Sequence, residues 1–255
     1  MSRPAEETSV HTRLLKCALV IDEARAYWQQ VSLGQEVSSQ EAFEGYWFGA
    51  KSLPRVKVLL TNFRARFDAF PPSLEALHRW QGMTPDTRAC ICHWHLQLSD
   101  PLYRAFTGTF LVDRRTMRPE ITRDRVIAWV GEQGGERWTM PSRIQLASKL
   151  LSAAFSAGLV GRNRDPRPLT WPRVDDVALT YLMYLLRGVD FDGSMLENPY
   201  LRSVGLDADT VARTFQRSSA LQIRRQSGLV DISWQHDGLL AWAEHDGLLA
   251  ARGEP

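Results

Sequence analysis

Thr122–Trp171 reads TRDRVIAWVGEQGGERWTMPSRIQLASKLLSAAFSAGLVGRNRDPRPLTW, and the fold turns on this stretch. Thr122 and Asp124 precede an apolar-periodic run through Gly131, as at a helix start. Glu132–Glu136 carries two adjacent glycines and reads as a turn. Pro141-Ser142 opens a second helix through Ala157, with Gly158 as its C′ residue. Leu159-Val160-Gly161 and Pro168-Leu169-Thr170-Trp171 are short and extended, and they bracket a basic loop. Helix, glycine turn, helix and β-wing together form a winged helix–turn–helix pattern.

The second helix of such a unit fits the major groove of B-DNA, about 12 Å wide, with its first residues near base edges. Its polar positions here are Ser142, Arg143, Gln145 and Lys149, while Ile144, Leu146, Leu150, Leu151 and Phe155 form an apolar stripe. Arg162, Asn163, Arg164 and Arg167 on the wing are placed to reach the DNA backbone or minor groove. From Arg143 to Arg173 the only acid is Asp165, so positive charge is local although the chain's net charge is only +2.

A weaker echo lies upstream. Ser52-Leu53-Pro54-Arg55 resembles Thr139-Met140-Pro141-Ser142: a hydroxyl residue, a large apolar residue and a proline at a helix start. Lys51–Phe67 contains Lys51, Arg55, Lys57, Arg64 and Arg66 without an acid. A second helix–turn–helix here would give a second grip on DNA through Lys51, Ser52, Arg55, Lys57 and Arg64. The same arginines also suit the solvated face of an amphipathic helix. Arg213, Arg217, Arg224 and Arg225 form a third acid-free run, suited to DNA or equally to the acidic Asp190-Phe191-Asp192 and Asp175-Asp176 stretches or to another subunit.

The expected fold class is mainly α, with two helical units of helix–turn–helix or winged-helix character and short β-wings. Elsewhere a helix spans Leu14–Val31, and Ser38 with Glu41 forms a capping box ahead of a helix through Phe48. Further helices start at Leu53, Ser73, Thr84-Pro85, Asp100-Pro101, Asp175, Asp207 and Leu239. The Asp207 helix is expected to reach Gln226, followed by a second extended pair at Gly228–Trp234. A polar cluster at Asp113–Glu120 marks a boundary, giving a polar tail (1–13), an N-terminal helical domain (14–118) and a winged-helix-like domain (119–255).

An apolar fraction of 44% and a charged fraction of 24% are those of a globular chain, which argues against wholesale disorder. The three cysteines, Cys17, Cys90 and Cys92, make no disulfide framework. The longest apolar stretch, Val177–Leu186, falls short of the roughly 20 residues a membrane span needs. With no signal-peptide pattern at the N-terminus, a cytoplasmic location is expected. Cys90-Ile91-Cys92-His93-Trp94-His95 invites a zinc reading, but on a helix Cys90 and Cys92 diverge by about 200°. No phosphate loop, dinucleotide fingerprint or nucleophile turn occurs. The sequence therefore points to a non-enzymatic protein without a cofactor.

The order of segments resembles the BrxA family of BREX phage-defence systems. The likeness rests on KSLPRVKVLL (51–60), FRARF (63–67), WTMPSR (138–143), AAFSAGLV (153–160), TYLMYLL (180–186) and QSGLVDISW (226–234), within a span from Leu14 to Trp242. It implies a small helical nucleic-acid-binding protein that works beside a methyltransferase, an ATPase and a phosphatase-like partner. An inner-membrane label attached to the family does not fit this sequence. The combined expectation is a largely sequence-tolerant binder of double-stranded DNA with other BREX proteins as partners. Self-association, an adaptor role within the defence complex and RNA binding stay open.

Overall fold

The structure, a computed structural model, describes residues 3–31, 34–226 and 229–250. It is mainly helical. The first half holds α1 (Arg13–Lys16), α2 (Ile21–Gln30), α3 (Ser39–Glu44), α4 (Leu53–Phe63), α5 (Pro71–Arg79), α6 (Pro85–Ser99), α7 (Pro101–Ala105) and α8 (Leu111–Met117). Then come β1 (Glu120–Ile121), α9 (Arg123–Gly134), α10 (Met140–Ser156) and β2 (Arg167–Pro168). The chain continues with α11 (Asp176–Arg187), α12 (Pro199–Ser203), α13 (Ala208–Thr214), β3 (Leu221–Gln226), β4 (Leu229–Trp234) and α14 (Leu239–His245).

Side-chain caps explain half of the described helix starts. Ser38 and Glu41 form the reciprocal capping box, and the side chains of Thr84, Asp100, Thr122, Asp175, Asn198 and Asp207 each accept from the amide three residues on. Each satisfies one backbone donor that a helix start leaves open.

Packing centres on α6, which lies against α11, α7 and α2, while α5 packs on α14. Every residue from Cys90 to Ser99 is buried. Its polar side chains are met from both halves of the chain. His95 Nδ1 faces the Arg66 carbonyl at 3.0 Å, and its Nε2 contacts Ser73 Oγ at 3.0 Å and the Tyr181 hydroxyl at 2.7 Å. His93 contacts the Tyr103 hydroxyl at 2.8 Å and Ser203 Oγ at 2.9 Å. Gln97 donates to Thr107 at 2.9 Å.

Three sequence expectations are corrected. Asp113–Glu120 is not a linker: α8 runs through it to Met117, and the buried core is continuous across the expected boundary. The N-terminal residues are not a free tail either. Residues 4–7 bond to Asp190 and Leu98, and buried Glu6 takes the Tyr200 hydroxyl, the Asp192 amide (3.1 Å) and Arg104 Nε (3.4 Å). The expected helix to Gln226 stops at Thr214, because Leu221–Gln226 pairs with Leu229–Trp234 in an antiparallel hairpin. Leu221 and Ile223 are buried at alternate positions, a period of two inside a basic run. Gly228, where that extended pair was expected to begin, lies outside the described residues.

Burial depresses the pKa of His93 to about 3 and of His95 to about 4, from an ordinary 6.5. An unfolded chain therefore binds protons that the folded one refuses. Stability is full above pH 6.5 and lost as the pH falls toward about 4. Urea unfolding followed by circular dichroism should show its midpoint falling across that window. A midpoint flat over the window would contradict neutral burial of both rings.

Candidate nucleic-acid interface

Thr122–Trp171 folds as a winged helix–turn–helix. Thr122 caps α9, the chain turns at Gly135 with φ +53°, and α10 follows, packed against α9. The turn is tight: a Cβ on Gly134 would lie 2.3 Å from the Trp138 ring, so only glycine lets this buried indole close the corner. Gly158, at φ +74°, ends α10. Three short extended pieces form the wing. Glu120 and Ile121 pair with Pro168 and Arg167, and Val160 bridges to Leu169 on the other side.

Leu146, Ala147, Leu150, Leu151, Ala153 and Ala154 turn one side of α10 into the core. On the opposite side Gln145 and Ser152 are exposed and Lys149 is half-buried. Met140 at the helix start is 57% exposed, and Phe155 near its end is exposed as well. α1 lies alongside α10, and Val10 of the N-terminal segment accepts from Arg137 in the turn at 3.0 Å.

The basic residues divide into those committed to the fold and those left for a ligand. Arg143 belongs to the first group: Nε donates to the Trp138 carbonyl at 2.9 Å and Nη2 to Gly135 at 2.8 Å. It clasps the turn, with Gly131 leaving room for its guanidinium. Ser142 Oγ sits 3.1 Å from Thr139 Oγ1. Arg167 is held by Asp165 at 2.7 Å and by Asn163 at 3.1 Å. Asp165 also accepts from the Arg123 amide at 2.8 Å, which ties the wing to the start of α9. Burial works against its charge, yet these donors hold its carboxyl below the ordinary range. Arg162 donates Nε to the Pro166 carbonyl at 2.7 Å, which leaves its charge unbalanced. Lys149 and Arg164 have no side-chain partner among the described residues.

The upstream echo forms a helix, turn and helix in α3 and α4, but another helical turn and α5 follow in place of strands. Its cations are mostly engaged within the fold. Lys51 pairs with Glu23 at 3.4 Å, and Arg64 pairs with Glu36 at 2.9 Å and donates to the Val37 carbonyl. Arg55 donates to the Lys16 carbonyl at 2.8 Å, and Arg66 is buried against the carbonyls of Cys17 and Ala18. Ser52 precedes α4 without capping it. Lys57 is exposed and has no side-chain partner among the described residues.

Sequence reasoning missed the seat of the wing. The Arg115 guanidinium lies 3.3 Å from the centre of the Trp171 ring and donates to the Thr170 carbonyl, while Gly205 lies against the ring. Desolvation lowers the Arg115 pKa to about 10. No local pattern links residues 115, 171 and 205.

Helix, turn, helix and wing on a helical body define a winged-helix protein by architecture. No family model and no curated protein matches the chain. It is similar to the crystal structure of an uncharacterized protein from Magnetospirillum magneticum, with a TM-score of 0.56 and 15% identity over 71% of this chain and 98% of that one. That likeness is one of fold.

Replacing Arg143 with alanine should cost about 2 kcal/mol, since two charge-assisted bonds to the turn disappear. Arg143→Lys should not restore it, because a single ammonium cannot reproduce the planar fork. Lys149→Ala should stay within about 0.5 kcal/mol of the parent. Urea midpoints for the three variants decide it; equal destabilisation at 143 and 149 would contradict the distinction between a clasp and a free cation.

Proposed function

We propose that this chain is a non-enzymatic binder of double-stranded DNA, largely sequence-tolerant, acting in a BREX-type phage-defence assembly. The observation that carries the DNA reading is the winged helix with a polar, accessible face on α10 beside a wing rich in arginine. An α-helix with its side chains is about 10–12 Å across, which matches the major groove. Lys149, Arg162 and Arg164 supply unbalanced positive charge for phosphates. Gln145 can pair with an adenine edge, and Met140 offers an apolar contact to a thymine methyl. So few base-reading groups favour tolerance of sequence over stringency. A deep, narrow A-form major groove would not admit α10, which favours DNA over duplex RNA. Placement in a defence assembly rests on the sequence resemblance alone.

The double variant Lys149→Glu, Arg164→Glu should retain the parent's helical circular dichroism, as neither side chain bonds to the described residues. Its affinity for a random duplex should fall at least tenfold in fluorescence anisotropy. The log–log salt slope should become shallower by about 0.9 for each phosphate that is no longer neutralised. Affinity and slope equal to the parent's would overturn the site. Co-purification of a tagged chain with the methyltransferase or ATPase of its own system, after nuclease treatment, tests the assembly separately.

A further inference from the structure

The hairpin β3–β4 has one covered edge and one open edge. α13 and the turn after it pack against β3, whereas β4 makes extended backbone contact with β3 and meets α11 through the Trp234 side chain. The bond from the Gln235 amide to the Ala220 carbonyl (3.1 Å) fixes the parity of the ladder. Gln222/Ser233 and Arg224/Asp231 exchange bonds, so Val230, Ile232 and Trp234 turn their backbone groups outward. No described residue meets those groups. Val230 is 46% exposed, an apolar side chain on an unprotected edge. Native proteins normally blunt such an edge with bulges, charge or cover.

A groove of about 610 Å³ opens beside this edge, lined among others by Leu186, Phe191, Met195, Val230 and Ile232, with Arg3 and Arg187 but no acid. Trp234 closes one end, stacked edge-on against Tyr184 at 4.9 Å with the Arg187 guanidinium over it at 4.8 Å.

We infer that β4 is the interface for a second copy of this chain, joined by antiparallel pairing about a two-fold axis at Ile232. The pattern of β4 is self-complementary in that register. Outward-facing groups must pair with outward-facing groups, so Ile232 meets Ile232 of the second copy and Val230 meets its Trp234. Each of these pairs exchanges two backbone bonds. On the opposite face Asp231 meets Ser233 of the second copy, a carboxylate opposite a hydroxyl donor, and no like charges stand directly across. The apolar side chains of the second strand descend beside the open groove. The product is a four-stranded sheet with β4 at its centre, an isologous dimer. This interface does not depend on the DNA reading.

Sedimentation equilibrium tests it. The parent chain should approach twice its 29.0 kDa mass at micromolar concentration and dissociate on dilution. Ile232→Pro removes an outward amide and should give a monomer. Because proline could disturb the hairpin itself, two variants on the exposed face carry the decisive contrast. Ser233→Asp sets carboxylates opposite each other and should weaken the dimer about tenfold, while Ser233→Lys should tighten it by a similar factor. Asp231→Cys combined with Ser233→Cys should cross-link two chains on oxidation. A parent chain that stays monomeric, or a dimer indifferent to charge at position 233, overturns the proposal.

Discussion

The stretch Cys90–Ser99 of α6 is buried throughout, so its polar side chains must find partners inside the protein, and that constraint shapes the rest of the molecule. His93, His95 and Gln97 cannot reach water, so an unpaired ring nitrogen or amide would cost a few kcal/mol. Their partners come from α5 (Ser73), α7 (Tyr103), the turn after it (Thr107), α11 (Tyr181) and α12 (Ser203). Elements more than 100 residues apart in sequence are thereby fixed around one axis. Both ring nitrogens of His93 and of His95 are engaged within the fold, and burial pushes the thiols of Cys90 and Cys92 up to about 12.

From that axis the winged helix is mounted rather than tethered. α8 leads directly into β1, Arg115 on α8 grips the base of the wing, and Gly205 beyond α12 backs Trp171 from the other side. The N-terminal strap closes the arrangement. Glu6 anchors it to Arg104 and Tyr200, and Val10 meets Arg137 in the turn ahead of α10. A helix held this way presents its exposed face already ordered.

The parts of this architecture legible in sequence are those set by neighbours in the chain. The capping residues at 38, 84, 100, 122, 175 and 207, the glycine turn before α10 and the pieces bracketing the wing all act within a few residues. Illegible parts depend on contacts across the chain. The strap looked like a tail because Glu6 reads as a surface acid until Arg104 and Tyr200 arrive beside it. Residues 221–226 looked helical because charge masked the alternation of Leu221 and Ile223, which only pairing with β4 makes decisive. The acid-free run at 51–67 looked like a free basic face, yet Glu23 and Glu36 reach it from other elements.

Pairing of that kind sets the scale of any electrostatic grip. Counting cations along a sequence overstates what a phosphate can use, because arginine's fork is also the natural clasp for backbone carbonyls. Arg143 and Arg55 serve that purpose here, and Arg167 is turned inward by Asp165. Of the cations singled out on the second helix and the wing, Lys149, Arg162 and Arg164 have no ion-pair partner among the described residues. A DNA site of the kind proposed, with so few charges, would bind weakly at physiological salt, since each neutralised phosphate contributes only about one released counterion. In the proposed dimer a second such site would raise the effective concentration wherever both sites reach one duplex.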